Sequence, residues 1–151
     1  MVQEILRTRQ TNAETHLKAA LQRLDQACPQ ADAADVRTWP EWDLLEPHVV
    51  SAVREGHRRS IATPTARLMR QPGRLLEARA QFPEAEPLLR TALVLSEQHG
   101  GPNHPEVAAD LNNLAELLRG TNRLPEAERL YRRALQICES NRPHGLHQPI
   151  L

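Results

Sequence analysis

The sequence predicts an all-α fold, an α-α superhelix in which antiparallel helix pairs stack on one another. Apolar residues recur at the 3.6-residue spacing of amphipathic helices, and no segment combines alternating β-branched residues with hairpin turn dipeptides. A second observation is an internal repeat, in which the segment Glu84–Leu93 returns as Glu126–Leu135, offset by 42 residues. A period of this length is typical of stacked helix pairs, because one pair cannot bury its apolar face alone.

The repeat divides the chain into three predicted regions. Residues 1–62 are expected to form an N-terminal helical connector that acts as a degenerate cap, residues 63–140 two repeats, and residues 141–151 a flexible tail. Stacked repeats usually need about three units and caps for stability. We therefore expect the connector to support the first repeat, and the uncapped last repeat to allow self-association.

The first helix of the connector is predicted from a capping pattern. Thr11 and Glu14 have capping-box spacing, in which a hydroxyl is followed three residues later by a carboxylate. A full helix is therefore expected to begin there, after a short segment Met1–Arg9, and to end near Pro29.

The second connector helix is predicted to open at Thr38–Glu41, since proline is tolerated in a first turn. Pro47 interrupts its apolar stripe, so a later start near Glu46 is the alternative. The helix is expected to end at Gly56–Ser60. Its basic end could contact an acidic partner or nucleic acid, but a solvated helix end that suits the helix dipole is favoured; the cluster is Arg54, His57, Arg58 and Arg59.

The first repeat is predicted to begin at Thr63-Pro64 and to contain an interruption. A proline inside a helix costs about 3 kcal/mol, so Pro72-Gly73 predicts a kink, or a break with a restart at Pro72. The next helix should open at Phe82–Glu84 and end at Gly100-Gly101, because glycine just past the last turn is a common helix stop.

The second repeat is predicted to be regular. Its first helix should begin at Asn103–Glu106, where the His104 imidazole can bond the turn backbone, and its second helix at Leu124–Glu126. The inward positions predicted for the last helix are Ala127, Leu130, Tyr131, Ala134, Leu135 and Cys138.

Composition argues against several classes of partner. Basic and acidic residues number 19 each and aromatics are 3%, which disfavours nucleic acid and membrane surfaces. No apolar run approaches the ~18 residues that span a bilayer, and no signal peptide is visible. The two cysteines lack metal or redox spacing. A cytoplasmic protein is therefore expected.

No pattern of catalytic or cofactor-binding residues stands out. The pairs His99/His104 and His144/His147 lack nearby Cys or carboxylate ligands, and no Gly-rich phosphate loop occurs. The carboxylates two residues apart near the helix starts suit the helix dipole rather than acid–base catalysis. Cys138 is interpreted as a buried, inert thiol. We expect no enzyme activity, no metal and no cofactor.

The two helix pairs resemble tetratricopeptide repeats of the kinesin-light-chain-like type. The resemblance is carried by Gly101–Ala108, Leu111–Ala115 and Glu126–Leu135. It implies a right-handed solenoid in which small residues allow close helix approach. Those positions are Gly73, Ala85 and Ala92 in the first repeat, and Ala115, Ala127 and Ala134 in the second.

The same resemblance implies a scaffold that binds a protein or peptide in a concave groove lined by the first helix of each pair. The implied groove positions are Ala109, Asn112, Asn113, Glu116 and Arg119 in the second repeat, and Arg67, Arg70, Gln71, Arg74 and Glu77 in the first. The predicted partner-binding residues are Asn112, Asn113, Glu116, Arg119, Arg70 and Arg74.

Residue chemistry supports some of these positions. Asparagine is a mediocre helix former, and its amide offers both a donor and an acceptor to a peptide backbone. Asn112 is therefore assigned to the groove, whereas Asn113 could equally bond a neighbouring helix. The arginines would suit an acidic or C-terminal carboxylate ligand.

The connector resembles the segment that precedes such repeats in bacterial nucleotide-binding switch (NB-ARC/STAND-type) signalling ATPases. Trp39, Leu44, Pro47 and His48 carry this looser resemblance. It implies an alternative function, namely the sensor or regulatory arm of a signalling ATPase whose nucleotide-binding domain lies outside this chain.

Overall fold

The computed structural model describes residues 1–28, 35–61 and 64–142, and within these ranges the chain is helical without a strand. The helices are α1 (Val2–Ala27), α2 (Trp39–Arg58), α3 (Thr65–Ala78), α4 (Phe82–Gly100), α5 (Pro105–Gly120) and α6 (Leu124–Ser140), with a short 3₁₀ turn at Val36–Thr38. This confirms the all-α prediction. Pro29, Thr63, His144, His147 and the tail beyond Arg142, on which predictions were made, lie outside the described residues.

The helices stack in chain order. Helices α3 and α4 form one closely packed pair and α5 and α6 a second, while α4 packs on α5 and α3 also touches α5. Helices α1 and α2 pack against α3. This order of contacts is that of a helical repeat superhelix. No helix in the described ranges has the length and apolar character needed to cross a membrane.

Helix α1 is continuous, so the predicted start at Thr11 is wrong. The Thr11 hydroxyl donates back to the carbonyl oxygen of Arg7 at 2.9 Å, and Thr8 and Thr15 make the same bond one turn before and after. No proline or glycine separates Met1–Arg9 from the residues that follow. Extending an existing helix costs less than nucleating a new one, so the capping pattern is not used.

The interior prolines do not end their helices either. Helix α2 runs through Pro47 and ends at Arg58, within the predicted range Gly56–Ser60. Pro47 is exposed, so water can bond the carbonyl group that its missing N–H leaves free.

Helix α3 runs through Pro72, so the alternative of a break with a restart at Pro72 is wrong, while a kink there stays a prediction. Four apolar side chains on both sides of the proline are buried, namely Leu68, Met69, Leu75 and Leu76. Burying each contributes about 1.5–3 kcal/mol. Together this exceeds the penalty of about 3 kcal/mol for an interior proline, so packing keeps the helix intact.

The core lies between the helices in three clusters. The first joins the connector to α3 and includes Leu21, Trp42, Val49, Leu68 and Leu75. The second joins the two repeats through Leu76, Leu89, Leu114, Leu117 and Leu118. The third fills the α5–α6 pair with Val107, Leu111, Ala134 and Ile137.

Small residues lie where the helices approach most closely, as the family resemblance implied. Ala85, Ala92 and Ala115 are each fully buried. At Gly73, an added Cβ atom would lie 2.7 Å from Cδ2 of Leu89 on α4. The glycine therefore sets the distance between α3 and α4.

The helix ends at the turn between the two repeats agree with the sequence prediction. Gly101 ends α4 with φ of +85°, a conformation that favours glycine. The imidazole Nδ1 of His104 accepts a hydrogen bond from the backbone N–H of Glu106 at 3.3 Å, which caps α5.

Two residues of α6 face solvent instead of the core. Leu135 is 57% exposed, and Cys138 is exposed, so their prediction as inward positions and the interpretation of Cys138 as buried are wrong. Ile137, next to Cys138, is buried instead. Since adjacent helix positions differ by about 100°, the buried stripe of α6 passes through Ile137 and leaves its neighbour outside.

Candidate partner-binding site

One face of α5 carries polar residues that solvent can reach. Asn112, Glu116 and Arg119 lie at intervals of four and three residues and are all exposed, and Asn113 beside them is half-buried. The opposite face is the buried stripe of Val107, Leu111, Leu114 and Leu118. The hydrophobic core therefore fixes the direction in which the polar side chains point.

The corresponding residues of α3 are more enclosed. Arg70 and Arg74 precede Asn112 and Glu116 by the repeat length of 42 residues, and both are half-buried. Because α3 and α5 contact each other, the two polar rows form one surface, which we call the α3–α5 polar face.

Arg70 is committed to an ion pair inside the protein. Its Nε donates to Oδ1 of Asp110, whose side chain is 1% exposed. The Ser96 hydroxyl donates to the other oxygen of Asp110 at 2.6 Å. The pair joins α3, α4 and α5 and engages Arg70 within the protein, while contact of Arg70 with a partner stays a prediction.

Sequence reasoning missed Asp110 and Ser96. A signal was present, because Asp110 is a charged residue directly beside the apolar stripe of α5 that contains Val107 and Leu111. Asp is almost never fully buried unless it is paired. A carboxylate at such a position could have been predicted to bond an arginine of a neighbouring helix.

Charged groups meet on the polar face near the C-terminal ends of α3 and α5. Burial raises the pKa of the Glu77 carboxyl, and the nearby Glu116 carboxylate adds to this rise, while Arg74 and Arg119 oppose it. Arg119 Nη2 lies 3.6 Å from Oε1 of Glu116. Burial also raises the pKa of Tyr131 on α6, again with a contribution from Glu116. The polar face therefore carries both signs of charge.

A second charge cluster connects the two repeats. Glu86 and Arg90 on α4 pair at 2.7 Å, Glu86 also pairs with Arg123 at 2.9 Å, and Arg90 pairs with Glu126 at 2.9 Å. Burial acts to raise the pKa of Glu86, but the bonds from Arg90 and Arg123 outweigh it and lower that pKa. The cluster ties α4 to the start of α6.

An open apolar groove of about 400 Å³ lies along the outer side of α6. Its lining residues are Arg119, Leu124, Ala127, Glu128, Tyr131, Arg132 and Leu135. The groove was not among the predicted sites, and it follows from the outward direction of Leu135.

The other candidate features have structural explanations. Arg58 and Arg59 pair with Glu55 at 2.9 and 2.7 Å, so the basic end of α2 is a solvated helix end. His104 caps α5. Among residues 1–28, 35–61 and 64–142, no three His, Cys, Asp or Glu side chains cluster as metal ligands would.

The connector is tied to the first repeat through Arg79. Its guanidinium lies 4.9 Å from the centre of the Trp39 ring, and it pairs with Asp43 at 2.7 Å. Leu44, one of the residues in which the connector resembles that of signalling ATPases, is 75% exposed. Pro47 and His48 are exposed as well. This side of α2 is therefore open to contact.

Comparison with known protein families matches the tetratricopeptide repeat over residues 64–140, just over half of the chain. A search of the curated proteins found no match. Tetratricopeptide repeats generally mediate protein–protein interaction and are typically non-catalytic. The matched range covers α3 to α6, the two helix pairs that carry the polar face. The chain belongs to the tetratricopeptide repeat family.

Proposed function

We propose that this protein is an interaction scaffold that holds a peptide segment or partner domain on the α3–α5 polar face without catalysis. The observation that carries the proposal is the row of Asn112, Glu116 and Arg119. These exposed polar side chains stand on a helix whose other face is fully packed, so the backbone positions of the row are fixed before binding. A backbone that is already ordered loses less conformational freedom when a partner binds.

The row offers complementary chemistry to a polypeptide. The Asn112 amide can donate to a backbone carbonyl and accept from a backbone N–H. Arg119 can bind a carboxylate with two parallel hydrogen bonds. Glu116 pairs with Arg119 only at 3.6 Å, at exposed fractions of 55% and 66%, so this contact is weak and a ligand can replace it.

An acidic partner remains part of the proposal in a narrower form. Of the predicted arginines, Arg70 is neutralised by Asp110, whereas Arg119 stands in solvent and Arg74 lies beside Glu77. The acidic group is therefore expected to bind near Arg119, at the end of α5. Asn113, being half-buried, is assigned the lesser contact.

A pull-down with the intact chain tests the proposal. Partners captured by the wild-type chain should be lost with the double variant Asn112→Ala/Arg119→Ala, while the melting temperature stays nearly unchanged. Gln98→Ala/Arg129→Ala, which alters exposed side chains away from the polar face, is the matched control and should retain them. A large drop in melting temperature of the first variant would instead make Asn112 and Arg119 structural.

The alternative is that the chain is a regulatory arm of a signalling ATPase. It is supported by the exposed group Leu44, Pro47 and His48 on α2, where a switch domain could dock. A nucleotide-binding domain encoded in the same or a neighbouring gene should then bind this chain, and Leu44→Asp should abolish binding. Binding that depends on Asn112 and Arg119 but not on Leu44 would favour the first function.

Two further predictions belong with the proposal. A cytoplasmic location is expected for a protein whose two cysteines, Cys28 and Cys138, are thiols and form no disulfide. Self-association through the last repeat is expected from the apolar residues that α6 leaves uncovered.

A further inference from the structure

Helix α6 has two apolar stripes, and within the described part of the chain one is buried while the other is covered only at Tyr131. Ala127, Ala134 and Ile137 are buried in the α5–α6 pair. The second stripe is lined by Leu124, Tyr131 and Leu135, and its leucines are 53% and 57% exposed. It borders the groove of about 400 Å³.

The repeat shows what such a stripe does when it is covered. The residues of α4 that lie 42 positions earlier are Phe82, Leu89 and Leu93. All three pack into core clusters that contain residues of α5, and Leu89 is 1% exposed. The corresponding surface of the first repeat is thus one on which helix α5 packs. By the same register, the outer stripe of α6 is a helix-accepting surface.

The charged residues beside the stripe follow the same register. In the first repeat, Glu86 and Arg90 of α4 pair with each other. Glu86 also pairs with Arg123, and Arg90 also pairs with Glu126, at the start of α6. Their equivalents in α6 are Glu128 and Arg132, which pair with each other at 2.6 Å and are 62% and 74% exposed. Within the described ranges neither of them has a partner on another helix.

We propose that the outer stripe of α6 is a homodimer interface, in which the α6 helices of two copies pack antiparallel about a two-fold axis. A two-fold axis midway between Glu128 and Arg132 places each of these residues opposite the other residue of the second copy. It also places Leu135 beside the second copy's Leu124. A two-fold interface must be self-complementary, and this stripe meets that condition in both charge and apolar residues.

The occupant is therefore a second copy of this chain. The missing cross-helix partners are an arginine for Glu128 and a glutamate for Arg132, and a two-fold-related α6 supplies both at once. This interface deepens the self-association proposed above and differs from the polar-face function, because its stripe lies on α6 and the polar row on α5, although Arg119 of that row also lines the groove.

The dimer is expected to be weak. Helix α6 has 17 residues and is about 25 Å long, so the contact falls below the usual burial of about 800 Å² per partner. The dissociation constant of the dimer should be micromolar or larger. Sedimentation equilibrium from about 1 µM to about 1 mM covers that range. Reductant is needed, because the exposed Cys138 could link copies by a disulfide.

Charge-reversal variants test the geometry. Glu128→Arg and Arg132→Glu should each weaken the dimer more than tenfold, since each homodimer would then place like charges opposite each other. An equimolar mixture of the two variants should form a heterodimer of near wild-type affinity. In that mixture both intermolecular pairs are opposite in charge, whereas the pair within each chain stays broken. Recovery on mixing therefore reports contacts between copies.

Other results would overturn the proposal. They are a monomer at every concentration, no recovery in the mixture, or a dimer that Leu6→Asp disrupts while Glu128→Arg does not. In the last case the exposed residues at the start of α1 would be the interface instead. Circular dichroism of each variant should match the wild type. The polar-face pull-down is expected to survive Glu128→Arg, so failure of one proposal is distinguishable from failure of the other.

Discussion

The Arg70 guanidinium on α3 and the Asp110 carboxylate on α5 form an ion pair whose side chains are 17% and 1% exposed. The pair crosses from the first repeat to the second. Ser96 of α4 bonds the second oxygen of Asp110, so three helices share one polar contact. One guanidinium nitrogen of Arg70, Nη2, is buried without a partner among the described residues. Removing Asp110 would leave the whole buried charge unpaired.

Asp110→Ala should lower the free energy of unfolding by about 3 kcal/mol, since breaking a buried pair leaves an uncompensated charge in a poorly solvated site. Urea denaturation with a constant slope would measure it. Glu116→Ala removes an exposed ion pair from the same helix and should change stability by no more than about 0.5 kcal/mol. Equal losses in the two variants would contradict a special role for the buried pair.

Gly73→Ala should destabilise the protein by about 1–2 kcal/mol, although alanine is the better helix former by about 1 kcal/mol. The new methyl group would meet Cγ and Cδ2 of the buried Leu89 at 2.9 and 2.7 Å and push α4 away from α3. Gly120→Ala is the milder comparison. Its new methyl group would lie 3.3 Å from the Phe82 ring, so this variant should lose less stability than Gly73→Ala. A Gly73→Ala protein as stable as wild type would show that Leu89 can move.

Glu77→Gln should stabilise the protein near neutral pH. The pKa of Glu77 is raised in the folded state above its usual 4.5, chiefly by burial, so the carboxylate is less favourable folded than unfolded. The protonated Glu77 carboxyl contributes its full stabilisation at any pH below the pKa that Glu77 has in the unfolded chain. This stabilisation is lost as the pH rises through the higher pKa that Glu77 has in the folded protein. The advantage of glutamine should therefore be present at pH 7 and absent at about pH 3.

Urea titrations of both proteins at several pH values would measure this difference. Gln98→Ala, which changes an exposed side chain without a titratable group, is the control and should show no such pH dependence. An advantage of Glu77→Gln that persists unchanged at pH 3 would point to a steric cause instead of a charge effect.

Cys138 should react with a thiol reagent at least about a hundredfold faster than Cys28 at pH 8. Burial raises the pKa of the Cys28 thiol to about 11, with a further rise from Asp25 that Arg67 opposes, so its reactive thiolate is scarce. Cys138 is exposed. A chromogenic disulfide reagent should show one fast and one slow phase, and Cys138→Ser should remove the fast phase. A fast phase that survives in this variant would place Cys28 in solvent.

The sequence by itself determined the helix pairs and their register. The 42-residue repeat, the prolines at first turns and the glycine at position 101 are local or periodic signals, and each acts through neighbouring backbone groups. Accordingly, the starts of α4, α5 and α6 lie at the predicted residues, and the small residues Ala85 and Ala115 lie at buried helix contacts. The family resemblance implied the row of Asn112, Glu116 and Arg119, and the row lies on the exposed face of α5.

Only the tertiary structure decided which local signals prevailed and which side chains remained free. Burial of the leucines around Pro72 outweighs the proline penalty, an energy that no local pattern contains. The pairing of Arg70 with Asp110 depends on how α3 meets α5, and it engages an arginine that was predicted to contact a partner. The outward turn of Leu135 likewise depends on which stripe of α6 meets α5. These outcomes depend on long-range contacts, and long-range contacts arise only when the helices pack.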